Sequence, residues 1–217
     1  MYLGVITKNL GIIGTGLSYT FAIFGLGFVG GFILGVLAAA MRMSQVKPLR
    51  WIVTAYIEIF RNTPLLVQLF FIWLGLPVLG IRFSGFVSVA IAIALNNGAY
   101  FSEIIRGGLQ SIPKGQLEAA ASLGLSPRLT LFEVVLPQAF RTVFPAIINQ
   151  MISALLGSAA GTVVGAPEFT QQIFYLNSRT YRTIELLMFL CAVYALLTFL
   201  ITQLGRVINR RFQWTKR

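Results

Sequence analysis

Histidine and aspartate are absent from this chain of 217 residues, cysteine occurs once, at Cys191, and all 6 acidic residues are glutamates. Without histidine or a second thiol, Cys/His metal sites and intrachain disulfides are excluded, and Cys191, set in an apolar stretch, reads as a small buried hydrophobe. No G-x-x-x-x-G-K-[ST] segment occurs, so the chain does not cradle nucleotide phosphates in that way. The lack of His, Asp and paired carboxylates in one polar segment leaves little from which to build a hydrolase. The N-terminal residues show no basic region followed by a short apolar core and cleavage site, so the first apolar segment is expected to be a retained span.

What is present is oil. Hydrophobic residues make up 57% of the chain and charged residues 11%, a composition that belongs to integral membrane proteins. The net charge of +11 invites a nucleic-acid reading, but the basic residues border apolar runs rather than gather on one polar face. They report topology instead. Charge-free windows at 9–41, 62–81, 83–102, 142–167 and 186–205 each reach roughly the 20 residues that a helix needs to cross hydrocarbon. A backbone in lipid must satisfy its own hydrogen bonds, so helices are expected. The predicted fold is all-α and integral to the membrane, one domain with five spans at about 14–41, 55–79, 84–105, 140–165 and 185–206. With the N-terminus outside and the C-terminus inside, Arg42, Lys47, Arg50, Arg106, Lys114, Arg128, Arg141, Arg206, Arg210, Arg211, Lys216 and Arg217 fall in the cytoplasm. Only Lys8, Arg82, Arg179 and Arg182 then lie outside, the bias that the positive-inside rule requires.

The third and fourth spans are separated by a polar insert, EAAASLGLSPRLTLFEVVLP, from Glu118 to Pro137. Pro113 suits a first helical turn, Ala119 to Ala121 favour helix, and Gly124 suits the residue just past a helix end. Ser126 then offers an N-cap oxygen, Pro127 fits the first position of a second helix, and Pro137 is expected to bend or interrupt that helix. The first helix is too short to persist alone in water.

The spacing of Glu118-Ala119-Ala120, Gly124, Val134 and Leu136-Pro137 resembles the EAA loop of ABC-importer permeases. The resemblance implies a coupling loop, here 107–137, that docks on a separate ATPase subunit through Gly115, Glu118, Ala119, Ala120, Gly124 and Pro137. YIEIFRNTPLLVQLFFIWLGLP (Tyr56 to Pro77), NNGAYFSEIIRGG (Asn96 to Gly108) and GAPEFT (Gly165 to Thr170) extend it to nearly the whole chain, towards the polar amino-acid uptake branch. That branch implies a type I importer in the bacterial inner membrane. Its other parts are a second permease subunit, two ATPase subunits carrying ATP and Mg, and an extracytoplasmic amino-acid-binding protein; this chain holds no cofactor.

A zwitterion crossing hydrocarbon needs polar partners near the midplane, and broken helices supply free backbone groups there. Candidates are Arg61, Asn62 and Thr63 in the second span, Asn97 in the third, and Ser158 and Thr162 in the fourth. Each has a plainer reading: Arg61 pairs with Glu58, Ser158 bonds back to its own helix, and Asn96 and Asn97 join helices. Two stripes of glycine at every fourth residue, Gly27, Gly31, Gly35 and Gly157, Gly161, Gly165, are read as close packing surfaces. The fourth span departs from the family: LLGSAAGTVVG places Leu156 where relatives commonly carry lysine. This opens a heterodimer in which a different permease holds the cargo. A secondary carrier would be expected to place titratable groups in its spans, a channel polar faces on several of them, and a scaffold no coupling loop at all.

Overall fold

The computed structural model describes residues 4–213, so Lys216 and Arg217 of the expected basic C-terminus lie outside the described residues. All regular structure among the described residues is helical: α1 (Gly4–Lys8), α2 (Leu10–Arg42), α3 (Lys47–Asn62), α4 (Leu65–Phe70), α5 (Gly85–Gln110), α6 (Lys114–Ser122), α7 (Pro127–Leu129), α8 (Leu136–Gly157), α9 (Phe169–Thr180) and α10 (Thr183–Gln213). Wider π turns at Phe71–Gly75 and Thr130–Val135, and tighter 3-10 turns at Leu76–Leu79 and Ser158–Val164, extend α4, α7 and α8. α2, α5, α10 and the rod Pro127–Val164 are each long and apolar enough to cross a membrane.

The second span is not the single helix expected over 55–79. α3 and the segment Leu65–Leu79 meet at 113°. The cause is local: Thr63 precedes Pro64, whose ring disfavours α geometry at its neighbour, and Thr63 is extended at φ −118, ψ 144. Gln68 then closes the corner by donating to the carbonyls of Phe60 (2.9 Å) and Thr63 (3.0 Å). Asn96 of α5 donates to the same Phe60 carbonyl at 3.1 Å. The backbone groups freed at the break are thus answered by side chains rather than exposed to lipid.

α2 and α5 form the centre of the bundle, and the first glycine stripe is why they fit. A Cβ on Gly27 would strike the Ile93 side chain, one on Gly31 would meet Asn97 and the Ala94 carbonyl (3.1 Å), and one on Gly35 would meet Phe101 and the Gly98 carbonyl (3.1 Å). Beside this seam, Ile23, Leu69, Ile72, Val89, Ala92, Ile93 and Ala154 make one buried cluster that joins α2, α4, α5 and α8. The second stripe is less uniform. Gly161 is buried against Ala166 and Glu168, while Gly165 is exposed and adopts φ +68 to end the 3-10 turn.

At two further points the structure differs from the sequence reading, in the first of them only as to interruption of the helix. Pro137 does not interrupt its helix: the chain runs on from Pro127 to Val164 through the π turn, in which the Leu136 N–H reaches back five residues to the Leu131 carbonyl. The wider turn takes up the missing N–H and the ring bulk of the proline that follows it. The same arrangement precedes Pro77, where the Leu76 N–H bonds the Phe71 carbonyl. Cys191 is exposed rather than buried. α10 packs through Leu186, Phe189, Leu190, Val193 and Tyr194, a single helical stripe, and Cys191 falls outside it.

Candidate functional site

The polar insert folds as its local residues dictate. Gly124 sits at φ +72 just past α6, the Leu125 N–H bonds the Ala120 carbonyl at 3.1 Å and the Gly124 N–H bonds the Ala121 carbonyl at 3.0 Å. That pair of bonds is the Schellman closure, which answers the free carbonyls of the helix end. Ser126 Oγ then accepts from the Leu129 N–H at 3.3 Å and starts the next helix with Pro127 at its first turn. Two contacts hold the short α6 to its own chain. Ala120 is buried, and the Gln116 side-chain oxygen accepts from Gln138 Nε2 of α8 at 2.7 Å. Gly115, Glu118, Ala119 and Gly124 are exposed, as are the apolar side chains of Leu117 and Leu123. Gln116 and Gln138, which tie the loop to the fourth span, escape sequence reading because they are 22 residues apart and nothing local pairs them.

At the same end of the bundle, Glu103 of α5 gathers three arginines. Arg42 of α2 bonds one carboxylate oxygen, Arg106 Nη2 approaches the other at 2.6 Å, and Arg61 of α3 stands 3.8 Å away. Arg61 also lies over the Tyr100 ring, 5.5 Å from its centroid. The expected partner of Arg61, Glu58, instead accepts from Asn62 Nδ2 at 3.0 Å. Arg61 and Glu103 are 42 positions apart, so their meeting depends on how α3 crosses α5. Thr63, the third candidate of this group, is used by the corner: its hydroxyl donates to the Ile59 carbonyl (2.8 Å) and accepts from Gln68 (2.9 Å).

The remaining pathway candidates do not converge with Arg61, Asn62 and Thr63. Asn97 is fully buried between α2 and α8, where its carbonyl oxygen accepts from Gln150 Nε2 and its own amide nitrogen has no partner among the described residues. Ser158 is buried and donates to the Leu155 carbonyl at 2.6 Å, the plainer of its two readings. Thr162 donates to Glu168 at 2.6 Å.

Glu168 is the residue that sequence reasoning passed over. It closes a charge-free window and looks like a loop residue, yet it is completely buried. Its carboxylate caps α9, accepting from the N–H groups of Thr170 and Gln171, both at 2.8 Å, where the helix dipole favours negative charge. Thr162 and Tyr194 (3.3 Å) complete its shell, and the adjoining Phe169 N–H bonds the Thr20 hydroxyl at 3.0 Å. One acidic side chain therefore joins the end of the fourth span, α9 and α10, and the neighbouring Phe169 backbone adds α2.

A span-borne loop with an exposed helix closed by its own residues, in a chain whose sequence carries no G-x-x-x-x-G-K-[ST] segment, has counterparts among known proteins. Residues 31–214 match the family described as the inner-membrane component of binding-protein-dependent transport systems. The chain belongs to that family. It is 38% identical over 201 residues to the L-cystine transport system permease protein TcyB of Bacillus subtilis, covering 92% of this chain and 86% of the relative. The arginine transport system permease protein ArtQ of the same organism is 35% identical over 199 residues, covering 91% of each. A solved amino acid ABC transporter with histidines superimposes with a TM-score of 0.91 at 35% identity, over 97% of this chain and 99% of that one. The MetNI methionine transporter shares the fold, with a TM-score of 0.73 at 24% identity, over 98% of this chain and 99% of that one. This permease is a transport subunit of an ABC importer rather than an enzyme, and ATP hydrolysis belongs to a separate chain.

Proposed function

We propose that the permease carries a polar amino acid inward across the bacterial inner membrane by alternating access. Its N-terminus lies outside and its C-terminus in the cytoplasm. The observation that carries this reading is α6, an exposed helix closed at one end by Gly124 and tied to the fourth span through Gln116 and Gln138. A helix so placed receives force from a neighbour and passes it to the span. Its neighbour is one of two ATPase subunits, which bind ATP and Mg and press on Gly115, Glu118 and Ala119 as they close, while Ala120, buried against its own chain, anchors the helix rather than meeting the partner. A second permease subunit completes the pathway, and an extracytoplasmic binding protein delivers the amino acid.

The pathway is proposed to run past Arg61, Asn62 and Thr63, where the second span breaks. Asn97, Ser158 and Thr162 act one layer behind it, through Gln150 and Glu168. With Leu156 in the fourth span, this subunit works as one half of a heterodimer whose other permease holds most of the cargo contacts. Two identical copies in the purified transporter, weighed by native mass spectrometry, would contradict that assignment.

The coupling role is tested at Gly124. A β-branched residue at φ +72 is strained by roughly 1–2 kcal/mol, a cost confined to the loop because nothing lies within 4 Å of a Cβ placed there. Gly124→Val and Glu118→Lys are expected to leave insertion unchanged while ATP turnover by the reconstituted transporter no longer drives uptake, with uptake falling at least tenfold. Wild-type uptake by both variants in proteoliposomes would remove the loop from the mechanism. Failure of the purified wild-type chain to bring an ATPase with it would remove the importer reading altogether.

A further inference from the structure

The ends of α2 and α5 near Arg42, Glu103 and Arg106, together with the start of α3, enclose an open cavity of about 400 Å³, lined by Arg42, Met43, Arg50, Arg106, Leu109 and Gln110. Three guanidinium groups from three helices face one space. Arg42 and Arg106 share Glu103 with Arg61, so a single carboxylate serves three of the arginines near this end. Arg50 forms no ion pair among the described residues and is exposed. The cavity is therefore strongly positive. Gln110 adds a neutral donor: its side-chain oxygen accepts from Arg106 Nη1 at 2.7 Å, which leaves its amide nitrogen for a ligand.

The rim distinguishes the class of anion. Met43 and Leu109 form an apolar wall inside the cavity, and near Arg50 in the chain Val46, just before α3, and Trp51 and Ile52 in its first turns are exposed, with Trp51 at 75%. A tryptophan beside basic residues at the end of a span is the signature of the membrane interface. A small soluble anion has no use for the apolar rim. A phosphodiester headgroup with acyl chains uses both parts, its phosphate among the arginines and its chains along Val46, Trp51 and Ile52. Basic pockets between spans on the cytoplasmic side suit this chemistry, and each basic side chain near an anionic surface strengthens attraction by about fivefold.

We propose that this cavity binds the headgroup of an anionic phospholipid, next to the start of α6 and so next to the contact with the ATPase. The inference rests on the proposed cytoplasmic placement of this end, but its test does not.

The intact transporter, purified in mild detergent and exchanged into mixed micelles of phosphatidylglycerol and phosphatidylcholine, is to be examined by native mass spectrometry. Wild type is expected to retain phosphatidylglycerol in preference to phosphatidylcholine, and Arg50→Gln to lower that retention by about fivefold. Arg82→Gln, a charge change between the second span and α5, should leave retention as in wild type. Equal retention of both lipids, or no change in Arg50→Gln that still assembles with its ATPase, would overturn the assignment. Displacement of the lipid by inorganic phosphate at about ten millimolar, well below the strength of screening by bulk salt, would also overturn it in favour of a soluble anion. Weakened ATPase retention in Arg50→Gln without any bound phosphatidylglycerol in wild type would assign the cavity to a carboxylate of the ATPase instead. Topology is read separately by labelling single cysteines at either terminus.

Discussion

Glu103→Gln is expected to lower the stability of the permease by about 2 kcal/mol and to abolish most transport. Removing one member of a buried ion pair costs roughly 3–5 kcal/mol because the other charge is left without compensation. Here the value is discounted for solvent, since Glu103 is 16% exposed and its arginines 23–38%. Three guanidinium groups would then face one another across a neutral amide. The variant should lose its monodisperse peak in detergent at a clearly lower temperature than wild type. Arg42→Gln combined with Glu103→Gln should recover part of that loss, because it relieves repulsion among the remaining cations. If Glu103→Gln melts like wild type, the cluster is ornamental to folding and the helix ends are held by apolar packing alone.

Gly35→Ala is expected to cost about 2–3 kcal/mol, the range for overpacking a seam that cannot yield. The added methyl would meet the Cβ and backbone of Phe101 and the Gly98 carbonyl, with the Phe101 carbonyl carbon at 3.2 Å. None of these is the free end of a flexible side chain. Gly25→Ala in the same helix is the matching control: nothing lies within 4 Å of its Cβ, so the better helix propensity of alanine should leave it neutral or slightly stabilising. Thermal melting of the two variants side by side tests whether the seam, rather than glycine content as such, matters. Similar melting of both would mean that α2 and α5 can separate without penalty.

The parts of this protein that were legible in its sequence are those governed by neighbours in the chain. Gly124, Ser126 and Pro127 each obey a rule that spans four or five residues, and the loop closes as those rules require. The long apolar runs of α2, α5 and α10 likewise need only lipid to explain them. What could not be read is set by distance along the chain. Arg61 finds Glu103 rather than Glu58 because the corner at Thr63 and Pro64 leaves α3 beside α5. The corner itself was signalled by Pro64, but hydropathy averages over such a bend and returns one span where the chain makes two helices. Glu168 escapes the sequence for a related reason. A charge ends a hydropathy window wherever it occurs, whereas burial depends on whether a helix start, a threonine and a tyrosine lie ready to receive the carboxylate. Thr162 and Ser158 stand in the sequence as candidates for the pathway, and both hydroxyls donate within the fold, Ser158 to its own helix as its plainer reading has it.

The π turn at Thr130–Val135 has one more effect. A turn closed over five residues instead of four carries about one residue too many, so everything after it is rotated by roughly 100° from the phase that an uninterrupted helix would keep. Gln150 meets Asn97 in that shifted phase. Deleting one residue between Thr130 and Val135 would return the helix to regular phase, but it would set the Pro137 ring against the carbonyl one turn back and swing Gln150 away from Asn97. Inserting one residue would turn Gln150 away in the opposite sense. The rod from Pro127 to Val164 is thus indexed like a key. It can be neither shortened nor lengthened by a single residue without misaligning the loop at one end from the polar contact at the other.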